Sequence, residues 1–167
     1  MTQQRPNKDE YYLEIAKQVA RRGTCQRRRF GALIVKDDQI ISTGYVGAPR
    51  KAVNCQDLDI CPRTKANIPS GERYELCRSV HAEMNVIINA ARAGVSILGG
   101  VLYLYGENIN GTPVENIQPC KLCKRMIINA GLKEVIFEKN GKIERINPEN
   151  WIKEEILDFN DLKIKGY

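Results

Sequence analysis

The order of the apolar segments constrains the fold of this 167-residue sequence more than any other feature. Asn7, with Glu10 three residues later, predicts a capped first helix, and Gly23 is a stop signal near its end. In residues 30–45, FGALIVKDDQIISTGY, two β-branched runs lie on either side of a polar Asp-Asp pair, which predicts an antiparallel hairpin. The chain therefore begins with a helix and two paired strands.

Helices and strands alternate in the second half of the chain. Apolar residues recur at helical spacing from about residue 81 to Ala93, and Gly94 follows them. Further elements are predicted over residues 101–105 (strand), 120–130 (helix) and 134–137 (strand). The resulting order, β-β-α-β-α-β after a leading helix, indicates an α/β fold.

Residues 46–78 lack periodicity and are rich in Gly, Pro, Asn and Cys, so we predict one long ordered loop there. Loops of this length are usually functional or held by metal ions. Neither an internal repeat nor a linker divides the sequence, and its length suits a single domain over residues 1–167.

Composition limits the compartment and the partners. The polar start, MTQQRPNKDEYY, and the lack of any apolar stretch near the roughly 20 residues of a membrane span predict a soluble, cytoplasmic protein without a membrane partner. Six cysteines in such a chain indicate metal ligands or buried thiols rather than disulfides. The formal charge of +6 suits an anionic partner, either a phosphorylated small molecule or a nucleic acid, although a solvated basic surface is the favoured explanation for any single residue.

The single histidine of the chain, His81, precedes Glu83 by two residues, and both open a predicted helix. A step of two residues turns a regular helix by about 200°, so the two side chains can face one point only if His81 lies in an irregular first turn. Cys120 and Cys123, in PCKLC, are three residues apart and open another helix, where free N–H groups favour the thiolate. The two helix starts can therefore share one metal ion.

Three protein ligands, His81, Cys120 and Cys123, leave the fourth tetrahedral position of a zinc ion open to water, which is typical of a catalytic rather than a structural site. Glu83 is not a ligand in this arrangement and can carry a proton from water to a leaving amine. We therefore predict a catalytic zinc ion with Glu83 as general acid and base.

The combination of H-x-E with P-C-x-x-C is the signature of zinc deaminases. The segments TCQRRRFGALIVKDDQIISTGY, PSGERYELCRSVHAEMNVIINAARAG and PCKLCKRMIINAGLKEVIF resemble the deoxycytidylate (dCMP) deaminase family over roughly residues 10–137, which leaves residues 138–167 as a C-terminal extension. The resemblance implies a three-layer α/β/α cytidine-deaminase-like fold with a mixed central sheet. It also implies conversion of dCMP to dUMP with release of ammonia, which supplies dUMP for thymidylate synthesis.

Further properties follow from the same resemblance. It implies a homo-oligomer, with a hexamer favoured, and dCTP and dTTP as effectors. By motif, the backbone N–H of Ala82 would lie near the pyrimidine carbonyl and the carbonyl of Gln118 near the leaving amine. Val46, in GYVG, stands where many relatives have an asparagine that contacts the sugar hydroxyl, which leaves sugar recognition open. The segment GENINGTPVEN (residues 106–116) is longer than is usual in the family and is either a lid or a surface insertion.

Preference for a nucleotide requires a phosphate site, and clustered cations near the hairpin ends are the candidates. They are Arg27, Arg28, Arg29, Arg50 and Lys51. Solvated surface charge is the favoured explanation for at least half of them.

Four cysteines remain outside the catalytic set: Cys25, Cys55, Cys61 and Cys77. A second, structural zinc ion bound by these four would explain how the long loop is ordered, and some dCMP deaminases carry such an ion. Small buried thiols are the alternative, and the spacing of Cys55 and Cys61 is wider than in the usual zinc knuckle. Both interpretations stay open.

Other functions also fit parts of the sequence. Within the deaminases, these are action on another cytosine nucleotide, a nucleoside or free cytosine, or on adenosine in tRNA. A tRNA enzyme would need a broad basic surface bearing aromatic residues, which are few here, so we expect no nucleic-acid partner. A non-catalytic zinc module would need a fourth protein ligand near PCKLC, and it leaves Glu83 unexplained.

Overall fold

The computed structural model describes residues 5–69 and 71–153. The first helix, α1, spans Lys8–Ala20, and Asn7 caps it. The backbone N–H of Glu10 donates to Asn7 Oδ1 and the Asn7 N–H donates to the Glu10 carboxylate, both at 2.9 Å. The predicted capping box is thus confirmed, while the helix ends three residues before Gly23.

A five-stranded sheet forms the centre of the molecule, in the order β2-β1-β3-β4-β5. Strands β3 and β4 pair in parallel and every other pair is antiparallel, so the sheet is mixed, as expected. The strands are β1 (Arg28–Lys36), β2 (Gln39–Tyr45), β3 (Val101–Asn108), β4 (Glu134–Lys139) and β5 (Lys142–Ile146).

The predicted hairpin is the pair β1 and β2. Its two turn residues, Asp37 and Asp38, have φ angles of 50° and 62°. Positive φ at both central positions is typical of the type I′ turn, whose twist matches that of the paired strands. The Asp-Asp signal therefore identifies the hairpin correctly.

Helices cover both faces of the sheet. On one face, Leu13 and Ala16 of α1 pack with Leu33 and Val35 of β1. On the other face lie α3 (Ala82–Ala93) and α4 (Lys121–Asn129), which pack against the alternate residues of the same strands, such as Ile34. Successive side chains of a strand point to opposite faces, so each inner strand can serve both layers. The result is the three-layer α/β/α architecture that the resemblance implied.

The long segment between β2 and α3 is irregular but fixed at its ends. Gly47 and Val80 exchange two backbone hydrogen bonds, of 3.1 and 2.8 Å. Between them the segment forms only short helical pieces, at Cys55–Asp57, Pro62–Lys65 (α2) and Tyr74–Leu76. This agrees with the predicted long ordered loop.

Strand β5 is the main element that the sequence did not predict. It pairs with β4 across a turn in which Asn140 and Gly141 have φ angles of 52° and 72°. Trp151, further along, is buried in the core. Both features belong to the predicted extension of residues 138–167, whose residues 154–167 lie outside the described part. In the described ranges, no helix is long and apolar enough to cross a membrane.

Gly44 determines how closely β2 approaches α3. A Cβ atom on Gly44 would lie 2.7 Å from the carbonyl oxygen of Ala82 and closer still to the backbone nitrogen of Val86. We expect Gly44→Ala to push α3 away and to lower the free energy of unfolding by about 1–3 kcal/mol. Urea unfolding measures this, with exposed Thr43→Ala as the control. An unchanged midpoint for Gly44→Ala would contradict the close approach.

Candidate active site

Two helix starts meet at one point beside the sheet. His81 is the N-cap residue of α3 and Cys120 is the N-cap residue of α4, and both have extended backbone conformations. Neither side chain caps its helix, so both are available for other contacts. The prediction that His81 lies in the irregular first turn is confirmed.

The donor atoms of the three predicted ligands converge. His81 Nδ1 lies 3.4 Å from Cys123 Sγ and 3.5 Å from Cys120 Sγ. Zinc–nitrogen and zinc–sulfur bonds of tetrahedral centres require a nitrogen–sulfur separation of about 3.5 Å. Within residues 5–69 and 71–153, this is the one group of three or more His, Cys, Asp or Glu side chains whose donor atoms all lie within 4.8 Å of one another. The donor set and its spacing therefore fit a zinc ion.

The pKa values of the two cysteine thiols shift in opposite directions. A hydrogen bond from the Cys123 thiol, with a further contribution from His81, lowers the pKa of Cys120 to about 4. The same hydrogen bond, together with burial, raises the pKa of Cys123. Zinc binding requires both thiolates and would displace the proton from Cys123.

Glu83 lies in the first turn of α3 with only 5% of its surface exposed. Burial raises the pKa of its carboxyl group, and the nearby positive charge on His81 opposes that shift. It also contacts the Cys123 thiol through a hydrogen bond. A buried carboxyl group with a raised pKa beside the metal donors is suited to both accepting and releasing a proton.

A cavity of about 480 Å³ opens beside these groups. Val46, Ala82 and Gln118 line it, so three of the predicted substrate contacts share its wall with His81 and Glu83. Six cationic residues also line it, whereas Glu83 is the one acidic residue among its described lining residues. The cations are Arg27, Arg28, Arg63, Arg78, Lys121 and Lys124. The cavity therefore has a strongly positive wall around one buried carboxyl group.

Some of the predicted phosphate-binding cations line the cavity and others do not. Arg27 and Arg28 line the cavity, whereas Arg29 does not. Arg29 lies opposite Glu107 in the β1–β3 register and its Nη1 is 3.7 Å from that carboxylate. Neighbouring strand residues point to opposite faces, which explains the difference between Arg28 and Arg29. Arg29 therefore lies beside Glu107 rather than in the cavity wall, and its role as a substrate contact stays a prediction.

The second candidate pair also lies elsewhere. Arg50 donates to Asn89 Oδ1 at 2.8 Å, and neither Arg50 nor Lys51 lines the cavity. By contrast, Arg63, Tyr74 and Arg78 do line the cavity, although no sequence signal indicated them. These three belong to the irregular segment, where no periodicity indicates the direction of a side chain.

The predicted insertion 106–116 contributes to the cavity wall. Its first part completes β3 and turns at Gly111, where the backbone N–H donates to the Asn108 carbonyl at 2.9 Å. Its last part places Val114 and Asn116 at the cavity, with Val114 packed into the core. The segment is therefore anchored at both ends of its turn.

The four remaining cysteines all line the same cavity. In the described ranges, however, no three of them have sulfur atoms within 4.8 Å of one another. Cys55 Sγ lies 3.3 Å from Ser79 Oγ, and Cys25 Sγ accepts a hydrogen bond from the Arg27 backbone at 3.4 Å. These contacts agree with the interpretation as thiols, and the second zinc ion stays a prediction.

Comparisons with known proteins agree with this site. Residues 6–139 match the family model of the cytidine and deoxycytidylate deaminase zinc-binding region. The chain belongs to the cytidine and deoxycytidylate deaminase family. The matched range slightly exceeds the one that the motifs indicated.

Two curated relatives are deoxycytidylate deaminases. The one from Schizosaccharomyces pombe is 35% identical over 140 residues, which cover 84% of this chain and 39% of the relative. The one from Mycobacterium phage D29 is 34% identical over 142 residues, which cover 82% of this chain and 98% of the relative. The chain therefore spans well under half of the yeast protein and nearly all of the phage protein.

A solved structure of similar fold is the dCMP deaminase from cyanophage S-TIM5 in complex with dCMP and dUMP. It is 26% identical with a TM-score of 0.60, and the match covers 81% of this chain and 83% of that one. The cytidine-deaminase-like fold expected from the motifs is thus confirmed.

Replacement of any metal donor should remove the zinc ion. We expect His81→Ala, Cys120→Ala and Cys123→Ala each to lose most of the bound zinc, because two protein donors hold the ion too weakly. Metal analysis after gel filtration measures this, with Tyr11→Ala, far from the site on α1, as the control. Full zinc content in any of the three variants would contradict the three-donor site.

The second zinc ion has its own test. If the four remaining cysteines bind a structural ion, the purified protein contains two zinc ions per chain and Cys55→Ser/Cys61→Ser contains one. If they are thiols, the unmutated protein contains one ion per chain and the double variant keeps it. A single ion together with a protease-resistant segment 46–78 would exclude the structural zinc.

Proposed function

We propose that this protein is a zinc-dependent hydrolase that converts dCMP to dUMP and releases ammonia. One observation carries the proposal: His81, Cys120 and Cys123 converge with the spacing of a zinc centre, with buried Glu83 beside them. The dCMP deaminases among the relatives, and the structure described with dCMP and dUMP, support this substrate.

The protein residues have separable tasks in this reaction. When bound, the zinc ion would lower the pKa of a coordinated water molecule and polarise the oxygen that becomes the uracil carbonyl. Glu83 accepts one proton from water and delivers it to N3 of the cytosine ring as the water oxygen bonds to C4. It then carries the remaining proton of that oxygen to the amine, which leaves as ammonia when the C4–N bond breaks. Its burial keeps bulk water from competing for that proton.

Backbone groups would orient the base. The N–H of Ala82 lies in the first turn of α3, where it has no helical partner and can donate to the pyrimidine carbonyl. The carbonyl of Gln118, just before α4, can accept from the exocyclic amine. These groups fix the ring with its C4 atom toward the metal donors.

The positive wall of the cavity favours a nucleotide over a nucleoside. Arg27 and Arg28 are the cations from the predicted cluster that remain as phosphate ligands. Charged hydrogen bonds from guanidinium groups to phosphate are among the stronger polar contacts in proteins. Val46, which is buried and apolar, offers no hydrogen bond to a sugar hydroxyl. Recognition of the substrate would therefore depend more on the phosphate than on the sugar.

The wider assignments rest on the length and composition of the sequence and on the family resemblance. We propose a single domain over residues 1–167 that acts in the cytoplasm as a homo-oligomer, with a hexamer favoured, and with dCTP and dTTP as effectors. Other cytosine compounds remain alternative substrates. A non-catalytic zinc module is disfavoured, because it gives no reason to bury a carboxyl group beside the metal donors.

Glu83→Gln tests the proposed chemistry. The amide keeps the shape of the side chain but cannot carry a proton, so we expect kcat for ammonia release from dCMP to fall by about 100-fold or more. Zinc content and thermal unfolding should stay unchanged. Glu115→Gln, an exposed carboxylate in the insertion, is the matched control and should keep full activity. Undiminished turnover by Glu83→Gln would refute the role of Glu83.

A further inference from the structure

Arg63 is a buried cation that has no acidic partner among the described residues. Only 6% of its surface is exposed, and no carboxylate of the described residues lies within ion-pair distance of it. Its Nε atom is buried and has no hydrogen-bond partner in the same part of the chain. Burial of an unpaired charge is unfavourable, so its retention requires an explanation beyond surface solubility.

Among the described residues, the contacts of the Arg63 side chain lie in one short stretch of the irregular segment. Its Nη2 atom donates to the carbonyl of Pro69 at 2.7 Å and to the carbonyl of Glu72 at 2.5 Å. Its Cζ atom lies 5.0 Å from the ring centroid of Tyr74, which is cation–π geometry. Arg63 therefore ties helix α2 to the stretch that carries Tyr74.

Tyr74 contacts both Arg63 and the metal site. Its ring centroid is also 5.0 Å from that of His81, and the two rings are nearly perpendicular, at 85°. Arg73, just before it, has φ 46° and ψ 53°, the left-handed region that a non-glycine residue rarely adopts. Strained backbone of this kind persists only where the surroundings hold it. Both observations indicate that the position of the Tyr74 ring is enforced.

His81 lacks the hydrogen bond that usually orients a metal-binding imidazole. Its Nδ1 atom faces the two thiols, and no hydrogen bond reaches its Nε2 atom from any described residue. In most metal sites the second ring nitrogen donates to a carboxylate, a carbonyl or water, which fixes the ring. Edge-to-face aromatic contact is a physical alternative, because it restrains the ring plane without a hydrogen bond.

We propose that Tyr74 is a positioning residue that fixes the His81 imidazole for metal binding, and that Arg63 acts through Tyr74. The proposal rests on the zinc site of the proposed function. Tyr74 supplies the ring contact to His81, and Arg63 holds Tyr74 in place through its own contact with the Tyr74 ring. The buried guanidinium thereby couples the irregular segment to the metal site.

Zinc affinity, measured by competition with a chromophoric chelator, tests the role of Tyr74. We expect Tyr74→Ala to weaken zinc binding by about 10- to 100-fold, the usual effect of removing an orienting partner. Tyr74→Phe keeps the ring and should bind zinc within about twofold of the unmutated protein. Tyr74→Leu, which keeps most of the volume, should resemble Tyr74→Ala and guards against a simple folding defect.

The absorption spectrum of the cobalt-substituted protein distinguishes a change at the metal site from a loss of folding stability, because lower stability alone does not shift the bands of the bound cobalt ion. A tilted imidazole changes the ligand field, so the visible bands should shift in Tyr74→Ala and Tyr74→Leu but not in Tyr74→Phe. Wild-type affinity and spectrum in Tyr74→Ala would overturn the proposal. Loss of zinc in Tyr74→Phe would also overturn it, because the hydroxyl group rather than the ring would then matter.

Arg63→Met tests the second step, with exposed Lys65→Met on the same short helix as its control. We expect Arg63→Met to weaken zinc binding and Lys65→Met to leave it unchanged. If Arg63 acts through Tyr74, Arg63→Met adds nothing further in the Tyr74→Ala background. If the losses of zinc affinity from Arg63→Met and Tyr74→Ala add together in the double variant, Arg63 does not act through Tyr74. Failure of the unmutated protein to bind zinc would instead refute the proposed function itself.

Discussion

The convergence of two helix N-termini is the constraint on which the rest of the site depends. His81 and Cys120 occupy the N-cap positions of α3 and α4, where extended backbone lets each side chain turn toward the other helix. Cys123, one turn into α4, completes the set of donors. The N-terminal ends of both helices also favour negative charge, which stabilises thiolate and developing oxyanion alike. A small shift of either helix would separate the three donors.

The sheet holds the two helices at this separation. Strands β3 and β4 are parallel, and α4 is the crossover between them, as β-α-β geometry requires. On α3, the Ser42 hydroxyl of β2 donates to the Val86 carbonyl at 2.8 Å, and Gly44 permits close backbone contact. The chemistry of the site is therefore set by the packing of the core rather than by the loops around it.

Local signals explain what the sequence could predict. The Asp37-Asp38 turn, the Asn7 cap and the Gly94 stop each act within a few residues, and the structure contains all three. The metal donors were predictable because their residue types and spacing are specific to the chemistry. These features need no knowledge of the remote parts of the chain.

Tertiary context explains what could not be predicted. Strand β5, KIERI, has its two isoleucines three residues apart and mostly exposed side chains, so it lacks the alternation of a strand. Its pairing with β4 and a tight turn decide its conformation instead. The choice of Arg28 over Arg29 depends on strand parity at the start of β1, which no local signal fixes. The burial of Arg63 likewise depends on carbonyl groups that the irregular segment brings to it.

The cavity combines a zinc-type donor set with a positive wall, and this combination is the central claim. The most direct test is to measure kcat/KM for ammonia release from dCMP and from deoxycytidine with the zinc-loaded protein. The ratio of the two values shows whether the positive wall selects the nucleotide. Since charged hydrogen bonds contribute about 1.5–3 kcal/mol each, we predict a ratio of roughly 100 or more in favour of dCMP. A ratio near unity, or no ammonia from either compound, would contradict the account.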